Sequence, residues 1–341
     1  LDPGTMRADE NWDFRLVRFA ATLTGIFLIS ILIGSIASGI DQKIEELKRG
    51  RSRVIHGNHT LILGWSEKIF TIITELVEAN SNQKRPCIVI LSDKDKVEAE
   101  DEIRARVPNI KNTKVVVRSG STLESSAAEM VNIHEARSII VLSPEVENPD
   151  TYVIKTVLGI TNGKHRKDEP YHIVAEIRDE RNLDAAELVG NGEAVYVMSE
   201  DLISRVVAQT CRQSGLSVVY SDLLEFEGDE IYFSDLPDEL VSKTYRDSLF
   251  AYEDSSVIGV FTVDAEVLIN PPMDRIFSAG EQIIAISEDD DTVIANGRGT
   301  ASAPATFERT AEDGPEQETT LILGWNDIAS RIIAELDNYV R

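Results

Sequence analysis

The chain has 341 residues, of which 59 are acidic and 34 basic, and its formal net charge is −25. An acidic excess of this size argues against nucleic acid as a partner, because phosphate binding needs a basic face. It is compatible with cations as ligands, although solubility alone also explains an acidic surface. The two cysteines, Cys87 and Cys211, have no metal-ligand spacing, which favours free core thiols in a reducing compartment.

The first predicted element is a membrane-spanning helix at residues 15–40. No charged residue lies between Phe19 and Ile40, and an apolar run of roughly 22 residues is long enough to cross a bilayer. A buried core helix is the alternative. More basic residues follow the run than precede it, so the positive-inside rule places the rest of the chain in the cytoplasm. Residues 1–14 have no initiator methionine at position 1 and no signal peptide, so we expect the natural protein to begin further upstream.

Two glycines within this run, Gly25 and Gly34, have two explanations. A glycine can be the bending point of a gating helix, or it can let membrane helices pack closely. The sequence favours neither explanation over the other.

Residues 41–57 predict a charged helical connector, and strands and helices then alternate from residue 58 to residue 215. Six apolar runs have the length of strands, and each is followed by a helical pattern; they lie at residues 60–63, 87–91, 114–118, 138–142, 172–177 and 194–197. This alternation predicts a parallel sheet with helices on both faces, in a Rossmann-like arrangement.

The pattern changes after Gly215. Residues 216–293 contain short strand-like runs at 218–220, 257–261 and 282–286, which predict a small α+β lobe. Residues 294–318 are rich in Gly, Ser, Thr, Pro and Glu, a composition typical of a flexible linker.

The sequence Thr-Leu-Ile-Leu-Gly-Trp occurs twice, at residues 60–65 and 320–325. Four positions of the following helix recur in the same register, with Ile72, Ile73, Glu75 and Leu76 matching Ile332, Ile333, Glu335 and Leu336. Each copy has the pattern of the first strand, turn and helix of a Rossmann-like unit. Residues 319–341 therefore begin a second unit, and we expect the natural chain to continue.

The turn after the first strand is the expected place for a dinucleotide. Its fingerprint is Gly-x-Gly-x-x-Gly, but the register here gives Gly64, Ser66 and Ile69, so two of the three glycines are missing. The candidate residues for a cofactor at this edge of the sheet are Gly64, Trp65, Ser66, Asp93 and Gly120. The broken fingerprint argues against NAD, and the missing acid–base pair argues against an NAD-dependent oxidoreductase or any other enzyme.

Cation binding is the stronger hypothesis. Ca²⁺ prefers six to eight oxygen ligands from carboxylates and carbonyls, and two acidic clusters offer them: Asp93, Asp95, Glu98, Glu100, Asp101 and Glu102 in the first, and Glu288, Asp289, Asp290 and Asp291 in the second. Neither cluster forms an EF-hand loop. The alternative for both is a solvated acidic surface.

Several stretches resemble RCK domains, the regulators of potassium conductance. They lie at residues 115–121, 136–142, 174–179, 199–203 and 280–286. Residues 1–5, 50–54 and 63–66 are similar to those of the Castor/Pollux-type channels and their prokaryotic relatives. The resemblance covers nearly the whole chain.

This resemblance implies one subunit of a homotetrameric, ligand-gated cation channel in the cell membrane. Residues 1–14 would be the remnant of an extracellular pore loop, and residues 15–40 an inner pore helix. A ring of cytoplasmic RCK domains would sense a ligand, most plausibly Ca²⁺, and pull on that helix while cations permeate. Subunits would meet through RCK–RCK contacts, for which Val153, Leu158 and Ile160 are candidates. A nucleotide-sensing regulatory subunit of an ion transporter is the alternative, although such subunits usually lack a membrane span.

Overall fold

The computed structural model describes residues 12–48, 50, 52–163, 166–226, 228–297 and 319–339. The first eleven residues of the predicted pore-loop remnant and residues 298–318 of the predicted linker lie outside the described part. Contacts divide the chain into two units, Leu1–Thr74 with Gln83–Val197 and Glu75–Asn82 with Met198–Arg341. Residues 199–212, which belong to the Rossmann-like segment predicted at residues 58–215, fall within the second unit.

The predicted membrane segment is part of one long helix, α1 (Trp12–Lys48). Within it, Arg15–Ile40 is long and apolar enough to cross a membrane, and none of it is buried against the protein. The helix does not stop at the end of this span. It continues through the first eight residues of the predicted connector, because that stretch is rich in the good helix formers Lys, Glu and Leu.

The first unit contains the predicted parallel sheet. Its strands are β1 (His59–Leu63), β2 (Cys87–Ser92), β3 (Lys114–Ser119), β4 (Ala136–Val141), β5 (Ile173–Ile177) and β6 (Ala194–Met198). The intervening helices are α2 (Ile69–Ala79), α3 (Lys96–Arg106), α4 (Ser125–Met130), α5 (Pro149–Thr161) and α6 (Leu183–Gly190). The strand order is β3-β2-β1-β4-β5-β6, so the Rossmann-like fold predicted from the sequence is confirmed.

The central strands are continuous apolar runs, as expected of a parallel sheet that is covered on both faces. Every residue of β1 and β2 is buried. Helix α5 packs onto the sheet through Val153, Val157 and Ile160, which belong to the main core cluster. Two of the three residues predicted for contacts between subunits, Val153 and Ile160, are therefore core residues; the helical period turns them towards the sheet, whereas Leu158 is 44% exposed.

The described residues between α1 and β1, which are Gly50 and residues 52–58, contact other parts of the first unit. Gly50 is buried with φ +68°, and a Cβ there would lie 3.0 Å from Lys96 Cβ and 3.2 Å from Ser119 N. Further on, Val54 N donates to Met130 O at 2.7 Å. Gly50 lies beside the end of β3, and Val54 bonds to the last residue of α4. The segment therefore passes along the sheet before it enters β1.

The second unit contains an antiparallel sheet of order β7-β10-β8-β9. Its elements are α7 (Ser199–Arg212), α8 (Leu216–Leu224), β7 (Glu230–Asp235), α9 (Tyr245–Ser248), β8 (Ser256–Phe261), β9 (Val267–Ile269) and β10 (Gln282–Ser287). The small α+β lobe predicted from the sequence is confirmed. Its core surrounds Tyr245, Val260, Phe277 and Ile283.

Two expectations for the second unit are wrong. Residues 218–220, expected in a strand, lie in α8, because Leu216, Val219, Tyr220 and Leu223 follow the helical period and override the β-propensity of two valines. Cys211, expected in the core, is exposed, whereas Cys87 is buried in β2.

The second copy of the repeat forms only in part. Helix α10 (Ala329–Tyr339) corresponds to α2. Residues 319–323, by contrast, pair with no strand of the described structure.

Candidate functional site

The candidate site lies at the carboxyl-terminal edge of the six-stranded sheet. The strand order reverses between β1 and β4, and ligands of such open sheets bind outside the strand ends at that point. All five residues predicted for cofactor binding come to this edge. Gly64, Trp65 and Ser66 follow β1, Asp93 follows β2 and Gly120 follows β3.

Gly64 is required by the turn itself. Its φ of +98° favours glycine, its amide donates to Leu91 O at 2.9 Å, and a Cβ would lie 2.9 Å from Leu142 O. Both the backbone conformation and this close approach exclude a side chain. The first glycine of the fingerprint is therefore explained by the fold, whatever the edge binds.

Three serine hydroxyls are buried at this edge, on Ser66, Ser92 and Ser143. None has a hydrogen-bond partner among the residues that the structure describes. Leaving a buried hydroxyl unpaired costs about 1–3 kcal/mol, so each such group calls for an explanation, such as a bound molecule. Sequence analysis selected only Ser66. The sequence does hold a signal for Ser92 and Ser143, because each is a polar residue at the end of an apolar strand.

The charged groups at the same edge are already engaged with one another. Glu176 is 8% exposed and forms an ion pair with Lys68, and its carboxylate lies 3.8 Å from Arg178 Nε. Buried Asp150 accepts hydrogen bonds from the amides of Arg178 and Asp179, both at 3.0 Å. With Glu176 and Asp150 occupied and the exposed Asp93 remaining, this edge suits a polar ligand that bonds to hydroxyls better than it suits a metal ion.

Lys94 links the predicted cofactor residues to the first acidic cluster. Its Nζ lies 4.9 Å from the centre of the Trp65 ring, 2.6 Å from Glu102 and 3.5 Å from Glu98. Two of the predicted metal ligands therefore share one lysine. The pKa of Lys94 is raised, chiefly by its hydrogen bond to Glu102.

The other acidic residues of this cluster have structural partners or face solvent. Asp95 caps α3 by accepting from Val97 N at 2.8 Å, Asp101 pairs with Arg104 at 3.0 Å, and Asp93 is exposed. The structure does not bring three carboxylates of this cluster within 4.8 Å of one another. Helical spacing distributes them around α3 instead of turning them towards one point.

The second acidic cluster does converge. In the described part of the chain, Asp289, Asp290 and Asp291 are the one set of three potential ligands whose oxygens lie within 4.8 Å of one another, and all three are exposed. Asp289 also accepts from Asp290 N at 2.8 Å. Glu288, predicted as a fourth member of this cluster, is not part of this set.

The negative charge of these aspartates affects two ionisable groups on β7, the edge strand of the antiparallel sheet. Burial raises the pKa of Tyr232 to about 12, and Glu230, Asp289 and Asp290 act in the same direction. Burial also raises the pKa of Glu230, again with help from the two aspartates. A bound cation would offset this local negative charge.

Two hydroxyl groups of the predicted membrane segment bond within α1. Thr24 and Ser30 donate to Ala20 O and Ile26 O, each at 2.8 Å, which is the bonding that hydroxyls need in hydrocarbon. At Gly34, a Cβ would meet no atom within 4 Å. Gly25 lies in the same unbroken helix, so the choice between a bending point and close packing stays open.

Two family models match the chain. Residues 55–166 match the slowpoke-like RCK domain of calcium-activated potassium channels, and residues 200–301 match the Castor and Pollux model, described as part of a voltage-gated ion channel.

Curated relatives and one solved structure agree with these matches. The probable ion channel CASTOR of Oryza sativa subsp. japonica is 32% identical over 85% of this chain and 33% of its own length. The probable ion channel SYM8 of Pisum sativum is 30% identical over 99% of this chain and 38% of its own. The chain thus spans about a third of the length of these relatives. The human SLO3 gating ring shares the fold, with a TM-score of 0.51 and 16% identity over 69% of this chain and 44% of its own.

The fold, the parallel sheet with its small antiparallel lobe and the matched segments define an RCK-domain protein. Within that class, the chain belongs to the Castor/Pollux type, and the resemblance inferred from the sequence is confirmed.

Proposed function

We propose that this chain supplies an inner pore helix and the first regulatory RCK domain of a homotetrameric, ligand-gated cation channel in the cell membrane. The observation that carries the proposal is the continuity of α1, which runs from Trp12 through the apolar span to Lys48 without a break. A helix transmits displacement, whereas a flexible linker absorbs it.

The attachment beyond α1 supports the same mechanism. Ser52 O accepts from Arg118 Nε at 2.6 Å, His56 O accepts from Asn132 Nδ2 at 3.0 Å, and Asn58 N donates to Glu135 O at 2.7 Å. These bonds fix Ser52, His56 and Asn58 to the first unit and leave little slack between residue 52 and β1. Ligand binding acts on the pore only if it favours one position of this connection over another.

Ca²⁺ is the proposed ligand, and Asp289, Asp290 and Asp291 are its first candidate site. Three converging carboxylates supply charge, and carbonyls and water can complete the shell of six to eight oxygens. The cluster at Asp93, Asp95, Glu98, Asp101 and Glu102 is the weaker candidate, because lysine and arginine neutralise it.

Nucleotide sensing is the second candidate function. It is favoured by the three buried, unpaired hydroxyls of Ser66, Ser92 and Ser143. Against NAD in particular, Ser66 places a side chain where the fingerprint has a glycine that lets the pyrophosphate approach.

Calorimetric titration of the 341-residue chain in nanodiscs, with Ca²⁺ and with NADH, separates these ligands. We expect Ca²⁺ binding that weakens about tenfold or more in a triple Asp289→Asn, Asp290→Asn, Asp291→Asn variant, because the charge of its ligands sets Ca²⁺ affinity. A matched triple, Glu98→Gln, Asp101→Asn and Glu102→Gln, should retain it. NADH binding without a Ca²⁺ response would contradict the proposal.

The mechanical part is tested at residues 45–48. In single-channel recordings of the full-length channel, four glycines there should uncouple ligand from opening while ligand affinity changes little, because the helix would lose its stiffness. Four alanines, which keep the helix, are the control and should preserve the response. A full response in the glycine variant would show that force reaches the pore by another route.

A further inference from the structure

A separate cavity lies at the opposite, amino-terminal edge of the same sheet. Its volume is about 560 Å³, within the range of about 300–1,000 Å³ that small-molecule sites occupy. It opens between α4 and the end of α5, beside the starts of β4 and β5. None of the residues described for the strand-end site lines it.

Most of the cavity wall is apolar, and small residues in the wall leave room for a ligand. Ile133 and Ile160 are buried and line it, and Ala128 and Gly159 contribute little or no side chain. A Cβ at Gly159 would meet no atom within 4 Å, so the room beside this position is open. These walls suit a flat apolar group.

One end of the cavity is polar and rigid. Tyr171 is 4% exposed, and its hydroxyl lies 2.8 Å from His134 Nδ1. Arg166 is fixed by bonds from Nε to Lys167 O at 3.1 Å and from Nη1 to Thr161 O at 2.7 Å. These bonds hold the guanidinium and imidazole groups in place before any ligand arrives.

The fixed guanidinium retains donors for a ligand. Nη1 also pairs with Glu193 at 2.9 Å, whereas Nη2 bonds to none of the residues that the structure describes. Glu193 does not line the cavity; the carboxylate that does, Glu129, is exposed.

We propose that this cavity binds a small organic carboxylate with a flat apolar body, its carboxylate directed at Arg166 and His134. A guanidinium and an imidazole bond a single carboxylate well. The lining also offers hydroxyl and amide donors on Ser125, Ser126 and Asn162. The site is independent of the proposed Ca²⁺ site, which lies in the other unit.

Saturation-transfer NMR on the 341-residue chain in nanodiscs tests the proposal, with benzoate as the probe and benzyl alcohol as its neutral analogue. We expect benzoate to bind with a dissociation constant of about 1 mM or lower, and benzyl alcohol to bind more weakly. Gly159→Leu should fill the cavity and abolish benzoate binding. Gly159→Ala leaves the space open and is its control. Arg166→Gln should weaken benzoate by about fivefold or more, because a charged hydrogen bond is lost, without weakening benzyl alcohol.

Three results would overturn the proposal. They are no benzoate binding to the unchanged chain, full binding to Gly159→Leu, and equal affinities for benzoate and benzyl alcohol. Gly159→Leu adds its side chain to open space, so it decides the question even if Arg166→Gln, which leaves Glu193 without its ion pair, fails to fold.

Discussion

The two copies of the repeat have the same six residues and different structures. In the first copy, β1 pairs with β2 on one side and β4 on the other, and Leu61 and Leu63 are buried. In the second copy, residues 319–323 form no strand among those described, and Leu321 and Leu323 are 79% and 86% exposed. The six residues form a strand in the copy whose neighbouring strands, β2 and β4, are present in this chain.

What the copies share is local. Gly64 and Gly324 adopt almost the same left-handed turn, with φ +98° and +97°, and both turns lead into a helix, α2 and α10. Turns and helices close their hydrogen bonds within a few residues, whereas a strand needs a neighbouring strand. The repeated sequence alone therefore specifies the turn and the helix, whereas the strand also requires a neighbouring strand.

The largest contrast should come from truncating equivalent leucines. Leu61→Ala removes a fully buried side chain and should lower the free energy of unfolding by about 2–5 kcal/mol. Leu321→Ala should change it by about 0.5 kcal/mol or less, as expected at an exposed position. Urea denaturation of the 341-residue chain in detergent measures both. Equal losses would mean that the second copy is packed as tightly as the first.

A smaller contrast is expected at the turn glycines. Gly64→Ala meets both a left-handed φ and a contact with Leu142 O, and should cost about 2–4 kcal/mol. Gly324→Ala has the same φ but no atom within 4 Å of its Cβ, so only the backbone cost of about 1–2 kcal/mol remains. Thermal denaturation of both variants gives the difference. A larger loss from Gly324→Ala would contradict the assignment of Gly64 to a close contact.

The smallest contrast concerns the residue before each copy, His59 and Thr319. His59 is fully buried, and burial is the main cause that lowers its pKa, against opposing effects of the Val131 and His56 backbone and the Glu135 carboxylate. The unfolded chain therefore binds this proton more readily, so stability should fall as pH drops below about 6.5.

Urea midpoints measured from about pH 7 to about pH 5 test this dependence. His59→Gln should flatten the slope, and Thr319→His, which adds an exposed histidine, should leave it unchanged. An equal slope in the His59→Gln variant would assign the acid sensitivity to other groups.

Most of the fold follows from sequence periodicity. All six strands of the parallel sheet were placed within a few residues, because buried parallel strands are long apolar runs followed by helical patterns. The runs at 218–220 and 320–323 are not strands, for two different reasons: the first follows the helical period and lies in α8, whereas the second has no neighbouring strand in the described structure. An apolar stretch forms a strand only where it can pair with the edge of a sheet. The local sequence does not show whether such an edge is available.

The candidate site was harder to predict. The turn at Gly64, Trp65 and Ser66 was found because its sequence is distinctive, whereas Ser92 and Ser143 become notable only once their burial is known. The acidic residues of α3 looked like a metal cluster because a sequence does not show that Lys94 lies between Glu98 and Glu102. Side-chain pairing across a fold, and not composition, decides which charges remain open to a ligand.

The contact between Gly50 and the end of β3 indicates where the sheet would act on α1 in the proposed channel. The chain leaving α1 touches the first unit beside Ser119, where β3 ends, and only afterwards runs along the sheet to β1. The segment that follows α1 therefore contacts the sheet at the same edge as the buried Ser66, Ser92 and Ser143. In the proposed channel, a displacement of the strand ends at that edge would act on α1 through the segment that contains Gly50, beside the Lys96 side chain.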